Sequence, residues 1–210
     1  SVAMSSAGRR LAIGSTLLGG GGTGKGRIYA YDYSVVGGTW NQTGLAIDGL
    51  ADQDYQDTVD LSPDGNVLAV AADGHDTNGS NSGMARVYRL EGGFTWAQKG
   101  QTIYGEESGN QLGAGQVSLS NDGGMLAVGS HRLHSRSGKV HLYQWYPDAQ
   151  EWELAGAIEG ADTEDDLGFS VNVSGNGTYL AAGAPRLNTK GIPREHHDPS
   201  PGYVVIYSVE

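Results

Sequence analysis

The 210-residue sequence contains no cysteine, which excludes disulfides and thiolate metal sites and leaves the redox compartment open. It has only 13 Lys and Arg against 24 Asp and Glu, for a formal net charge of −11. A field of that sign repels a phosphate backbone, so we expect no nucleic acid partner. Apolar runs are far shorter than the roughly 18 residues needed to cross a bilayer, so we expect no membrane insertion.

No window of the sequence carries a convincing 3.6-residue apolar period, so helices should be scarce. Glycine is abundant instead, with 35 residues, and it separates short apolar blocks. Such a pattern is typical of an all-β protein with many tight turns. The sequence opens at Ser1 without an initiator Met or a signal peptide, which we interpret as a processed product or a fragment.

A pair of short apolar blocks recurs four times, and in each pair a Val of the first block stands nine positions before a Leu of the second. The four pairs are Val2 and Leu11, Val59 and Leu68, Val117 and Leu126, and Val171 and Leu180. Asp-Gly or Asn-Gly separates the two blocks in the later units, and these residues tolerate the positive φ of a hairpin turn. Each pair therefore predicts two antiparallel strands.

A third strand follows in each unit, marked by alternating β-branched and aromatic residues at 27–31, 86–88, 139–143 and 203–207. Trp40, Trp96 and Trp152 then begin a fourth strand, which the last unit lacks. The period between corresponding Val residues is 57, 58 and 54 residues. Four strands repeated at this period predict the blades of a β-propeller.

The predicted fold is therefore an all-β propeller of four-stranded antiparallel blades, with about 3.75 blades present. We predict one domain over residues 1–210, with repeats at about 1–56, 57–115, 116–170 and 171–210. Propellers have four to eight blades, so the chain is either a compact four-bladed ring or part of a larger one, and we favour the larger ring.

Three segments of the last unit resemble the FG-GAP repeat of integrin α-subunit propellers and of many secreted or surface proteins. They are Leu-Gly-Phe-Ser-Val at 167–171, Leu-Ala-Ala-Gly-Ala-Pro at 180–185 and Gly-Tyr-Val-Val-Ile-Tyr at 202–207. The resemblance implies an extracellular or cell-surface adhesion protein, and calcium loops between the first two strands. The turns at 62–66, 120–124 and 174–178 depart from that pattern because they have too few carboxylates for calcium.

The connections between repeats are strongly acidic. Residues 48–56, 104–115 and 159–168 hold ten of the 24 carboxylates and no Lys or Arg, which predicts a negative surface at one end of the propeller. We interpret it as a contact surface for a protein or glycan partner, although it could serve only to keep the protein solvated. Its candidate residues are Asp52, Asp54, Glu106, Glu107, Glu164, Asp165 and Asp166.

Other candidate sites are weaker. Asp73, Asp76 and Asn78 could contribute to a calcium loop, although turn chemistry also explains these residue types, and no other cofactor is expected. The histidine pairs His131 with His134 and His196 with His197 are interpreted as loop residues rather than metal ligands. Sequons at Asn41, Asn78, Asn172 and Asn176 are the candidate glycosylation sites of a glycoprotein.

These observations lead us to expect a non-enzymatic binding or structural module that presents variable loops outside the cell. Two alternatives remain open. A carbohydrate-active propeller enzyme would place a pair of carboxylates at a deep central pocket. A building block of an extracellular assembly would use incomplete terminal blades to bind further blades or other subunits.

Overall fold

A computed structural model describes residues 1–16, 24–185 and 202–209. Within these residues the chain folds into four antiparallel sheets in sequence order, with one four-residue helical turn, α1 (Leu133–Arg136). None of the helical segments found there has the length and apolar character needed to cross a membrane. The histidines at 196 and 197 lie outside the described residues.

Each sheet takes its strands from one repeat. The first sheet contains β1 (Val2–Met4), β2 (Arg10–Ser15), β3 (Arg27–Ser34), β4 (Thr39–Gln42) and β5 (Ile47–Asp48). The second contains β6 (Thr58–Leu61), β7 (Val67–Ala72), β8 (Met84–Glu91), β9 (Thr95–Gln98) and β10 (Ile103–Tyr104). The third contains β11 (Val117–Leu119), β12 (Met125–Gly129), β13 (Lys139–Tyr146) and β14 (Glu151–Glu159). The fourth contains β15 (Ser170–Val173), β16 (Tyr179–Ala184) and β17 (Tyr203–Ser208).

Neighbouring strands within each sheet are antiparallel, and in the first two sheets the outer strand is split into two pieces that both pair with the third strand. The first strands of successive sheets contact one another, β1 with β6, β6 with β11 and β11 with β15. These strands therefore lie nearest a shared axis and the sheets are the blades of a β-propeller, which confirms the predicted fold class.

In the hairpin turns between first and second strands, side chains of the turn make hydrogen bonds within the turn. In the second blade the Asp64 carboxylate accepts hydrogen bonds from the Ser62 hydroxyl at 2.6 Å and from the Asn66 backbone N–H at 2.9 Å. Gly65 takes the left-handed conformation between them, with φ of 74°. Both of these hydrogen bonds to the Asp64 carboxylate therefore stabilise the turn in which it lies.

Three apolar cores lie between successive blades. In each, residues of a third strand pack against the first two strands of the next blade. The third-strand residues are Ile28 in the first junction, Ala85 and Val87 in the second, and Val140 and Leu142 in the third. Stacking of this kind buries both faces of an internal blade, which a single four-stranded sheet cannot do alone.

Polar contacts link the same blades near the axis and at the outer edge. The Asp60 carboxylate accepts a hydrogen bond from the Leu119 backbone N–H at 2.8 Å, and the Ser118 hydroxyl accepts one from the Val173 N–H at 3.0 Å. At the outer edge, the Trp152 indole N–H donates to the Lys99 carbonyl at 2.9 Å. These bonds satisfy polar groups at the junctions and fix how each blade sits on the next.

Parallel bridges join the start of each third strand to the connection that enters the next blade. The bridged pairs are Gly26 with Gln56, Gly83 with Leu112, and Gly138 with Leu167. The loops between second and third strands and the connections between blades therefore lie at the same end of the propeller. We call this the loop end, and it holds most of the candidate site residues.

Candidate functional site

A central cavity of about 270 Å³ opens between the first strands of all four blades. It is lined by residues 1–4, 58–60, 116–118 and 171–172. Its polar groups include the hydroxyls of Thr58 and Ser118, the carboxylate of Asp60 and the amide of Asn172. The volume is near the lower end for small-molecule sites, about 300 Å³, and suits a molecule of single-ring size.

Asp60 is the carboxylate in the wall of this cavity. Burial raises its pKa above the usual value of 3.8, and hydrogen bonds from the Leu119 and Leu61 backbone N–H groups partly oppose that rise. Both bonds are short, at 2.8 and 2.9 Å, so the side chain is held in one orientation.

Two further carboxylates lie at the loop end of the second blade, outside the residues that line the cavity. Asp57 directly precedes Thr58, and Asp73 directly follows β7. Burial is the main cause that raises the pKa of each, and the negative charge of Asp57 raises the pKa of Asp73 further. Buried carboxylates with a raised pKa are frequent at catalytic sites.

Arg132 supplies the positive charge beside this pair. Its Nη1 lies 3.7 Å from Oδ2 of Asp73, and 55% of its side chain is exposed, so the guanidinium faces both the carboxylate and solvent. We call Asp57, Asp60, Asp73 and Arg132 the axial acidic site. It combines candidate general bases with a guanidinium that can stabilise negative charge.

His131 borders the axial acidic site between the third and fourth blades. Burial is the main cause that lowers the pKa of this imidazole. Its ring lies edge-on to Phe169, with 5.3 Å between ring centroids, and its Nδ1 has no hydrogen-bond partner among the described residues. His131 is therefore a neutral, buried base at neutral pH.

A second cluster at the loop end joins three side chains in a row. Oδ1 of Asp54 lies 2.8 Å from Nδ1 of His75, and Nε2 of His75 lies 2.7 Å from Oγ1 of Thr77. The other carboxylate oxygen of Asp54 accepts from the Ala51 backbone N–H at 2.7 Å. Asp54 and His75 are buried, so this row ties the connection into the second blade to the loop between β7 and β8.

The connections into the third and fourth blades repeat the backbone conformation found around Asp54, with Asn in one and Asp in the other. Asn110 and Asp165 occupy the matching positions, two residues before the bridged leucines. Asp165 accepts a hydrogen bond from the Tyr203 hydroxyl at 2.9 Å, whereas Oδ1 of Asn110 has no partner in the described part of the chain.

The seven residues of the predicted acidic contact surface divide into two groups. The exposed ones are Asp52, Glu106, Glu107 and Glu164, and for them the contact surface stays a prediction. The buried ones are Asp54, Asp165 and Asp166. They cannot present a negative surface, because they hold internal partners: His75, Tyr203 and, through two hydrogen bonds of 2.8 Å, Arg136.

The three candidate calcium ligands have separate roles. Asp73 belongs to the axial acidic site, Oδ1 of Asp76 accepts from the Asn81 backbone N–H at 2.7 Å, and the Asn78 amide donates to the Gly105 carbonyl at 2.8 Å. In residues 1–16, 24–185 and 202–209 no group of three or more His, Cys, Asp or Glu side chains has the arrangement of a metal site.

The four sequon asparagines are all exposed. Asn41 lies on β4, and Asn176 occupies a hairpin turn, where Oδ1 accepts from the Ser174 hydroxyl at 2.8 Å. The Asn78 amide is already used in its bond to Gly105. Asn172 lines the central cavity, so a glycan there would occupy the cavity.

Sequence reasoning did not identify Asp57, Asp60 or Arg132 as site residues, and it did not connect Asp54 to His75. Asp57 and Asp60 belong to an ordinary strand pattern, and Arg132 lies about 70 residues further along the chain. One signal was present: the connection that contains Asp54 and the loop that contains His75 both belong to the predicted loop end.

No family model and no curated protein sequence matches the chain, so the FG-GAP resemblance stays a prediction. Solved structures resemble it in fold. A provisional 6-phosphogluconolactonase from Bacteroides uniformis has a TM-score of 0.61 and 16% identity, over 98% of this chain and 57% of that one. A periplasmic gluconolactonase from Pseudomonas aeruginosa has a TM-score of 0.58 and 19% identity, over 86% of this chain and 49% of that one.

Sqt1 from Chaetomium thermophilum also shares the fold, with a TM-score of 0.52 and 18% identity, over 88% of this chain and 41% of that one. The chain thus spans about half the length of these structures. At these identities the likeness shows the propeller fold alone.

The expectation that the chain is not an enzyme is contradicted by these likenesses, because two of the structures are named as lactonases. The sequence contains no contiguous catalytic motif such as a Gly-x-Ser-x-Gly elbow or a His-Glu-x-x-His segment. A propeller can assemble a site from loops of separate blades, where no such motif is needed.

Proposed function

We propose that the chain forms part of a carbohydrate-active propeller enzyme that hydrolyses the cyclic ester of a sugar acid at the axial acidic site. The observation that carries this proposal is the grouping of Asp57 and Asp73, whose pKa values are raised by burial, with Arg132, whose Nη1 lies 3.7 Å from Oδ2 of Asp73. A carboxylate with a raised pKa is a stronger base, and general bases at such sites are tuned in this way. The fold shared with two lactonases supports the choice of an ester as the substrate.

In the proposed reaction, Asp57 takes a proton from water while the water oxygen bonds to the carbonyl carbon of the lactone. The bond between that carbon and the ring oxygen then breaks. The ring oxygen takes the proton back from Asp57 and becomes the hydroxyl of a hydroxy acid. Water is consumed, and the carboxyl group of the product ionises in solution.

Arg132 has the complementary role. Negative charge develops on the carbonyl oxygen during attack, and a guanidinium that is already in place stabilises that charge. Asp73 holds Arg132 at 3.7 Å, and the exposure of the guanidinium leaves N–H groups available to a substrate oxygen. Asp73 is thus a positioning residue in this scheme, whereas Asp57 and Arg132 act on the substrate.

The test is hydrolysis of glucono-δ-lactone and its 6-phosphate, measured by continuous titration of released acid at constant pH and corrected for the spontaneous rate. We expect Asp57→Asn to lower the catalysed rate by at least about 100-fold, the usual contribution of a general base. Asp52→Asn is the matched control, because Asp52 lies on the same connection, is exposed and pairs only loosely with Lys25, at 3.7 Å.

An undiminished rate in Asp57→Asn would remove Asp57 from the mechanism. A rate no higher than the spontaneous one, in folded wild-type chain, would overturn the proposed function. Arg132→Lys gives a further comparison, since it keeps the charge and loses the planar pair of donors. We expect it to retain more activity than Arg132→Ala.

A further inference from the structure

The outward face of the fourth blade is apolar, and no blade among residues 1–16, 24–185 and 202–209 packs against it. Val204 and Ile206 on β17 expose 68% and 73% of their surface. Strand register matches them to Ala85 and Val87 of the second blade, which are 1% and 0% exposed. In the second blade this face packs against the third blade, so we call it the leading face.

On the first blade it is the opposite face that no other blade covers within the described part of the chain. Val2, Met4 and Ile13 expose 66%, 54% and 36% of their surface. The matching residues of the second blade are Val59, Leu61 and Val70, all below 10% exposure, which pack against the first blade. We call this the trailing face. Every blade junction within the chain joins one leading face to one trailing face.

The hydrogen bonds that link neighbouring blades identify a matching position on the fourth blade. Asp60 and Ser118 each accept a hydrogen bond from the first strand of the next blade, at Leu119 and Val173. Asn172 occupies the matching position of the fourth blade and is exposed. Its partner by register would be the backbone N–H of Met4 on another first blade.

We propose that the leading face of the fourth blade binds the trailing face of the first blade of a second copy of this chain. Two copies joined head to tail through two such junctions contain eight blades between them, a number within the range of known propellers. The proposal is carried by continuity with the three junctions inside the chain, whose residues occupy the same register positions. It does not depend on the proposed enzymatic function.

The test is the solution mass of the 210-residue chain, measured by light scattering during size exclusion and by sedimentation. We expect a mass near twice 21.9 kDa. A leading-face variant, Val204→Asp with Ile206→Asp, and a trailing-face variant, Val2→Asp with Met4→Asp, should each be monomeric. Val36→Asp is the control, because Val36 is fully exposed and lies on neither face.

Mixing the two variants separates head-to-tail binding from other modes. The leading-face variant has an unchanged trailing face, and the trailing-face variant has an unchanged leading face. These two unchanged faces can bind each other, so the mixture should form a one-to-one complex with a single junction. Near-ultraviolet circular dichroism checks that each variant is folded. A monomeric wild-type chain would overturn the proposal. So would dimers of either variant alone, because they would show that like faces pair.

Discussion

His75 and Asp54 meet across two loops at the loop end, with Nδ1 of the imidazole 2.8 Å from Oδ1 of the carboxylate and both side chains buried. Thr77 extends the row at 2.7 Å from Nε2. The pair joins segments that are 21 residues apart, one before and one within the second blade. It therefore fixes a loop that flanks the axial acidic site.

Replacing His75 should weaken the whole fold. In His75→Leu, the buried Asp54 carboxylate loses its side-chain hydrogen-bond partner, which costs about 2–3 kcal/mol of the free energy of unfolding. Thr77→Val removes one neutral hydrogen bond and should cost only about 1 kcal/mol. Urea unfolding measures both values. His134→Leu is the control, since that side chain is 57% exposed, and equal losses in it and His75→Leu would contradict the role of the pair.

His141 should make the stability of the protein depend on pH. Burial lowers the pKa of this imidazole from 6.5 to about 4, with Lys139 adding to the shift and Glu159 opposing it. Between those pH values the unfolded chain binds the proton more tightly, so the free energy of unfolding falls as the pH falls from 6.5 to 4. The loss is about 3 kcal/mol from this group.

The measurement is urea unfolding of wild type and His141→Leu across pH 4 to 7.5. The difference between the two proteins should change by about that amount over the window and stay constant above it. A difference that does not vary with pH would show that His141 titrates normally in the folded chain.

Gly105 should not tolerate a side chain. Its N–H donates to the Gly83 carbonyl at 2.9 Å, and a Cβ placed on it would overlap the Ser82 carbonyl oxygen. We expect Gly105→Ala to cost about 3 kcal/mol, because β10 would have to move away from β8. Gly156→Ala is the matched control in β14, where no atom lies within 4 Å of the added Cβ, and it should gain about 0.5 kcal/mol. Thermal and urea unfolding would compare the two.

The propeller could be predicted from the sequence because its information is local and repeated. The nine-residue step from Val59 to Leu68 spans one hairpin, and Asp64 with Gly65 closes it. Strand period and turn residues depend on neighbours within a few positions, and the repeat length can be read along the sequence. All three indicate the same architecture.

The axial acidic site could not be predicted in the same way. Asp57 and Asp73 belong to different elements, and Arg132 comes from the next blade, so only the closed arrangement of blades brings them together. Sequence composition also did not indicate which acidic residues are buried. The sequence predicted an exposed acidic surface that included Asp165 and Asp166, yet both are buried, because each has an internal partner that composition does not reveal.

The turn that contains Asp54, Asn110 or Asp165 has the same backbone conformation in three blade connections, with residues of positive φ on both sides of each position. Asp54 binds an imidazole and Asp165 a phenol, whereas Oδ1 of Asn110 has no partner among the described residues. One recurring turn therefore directs a short polar side chain into the fold at each connection, and the neighbouring loop determines what that side chain contacts.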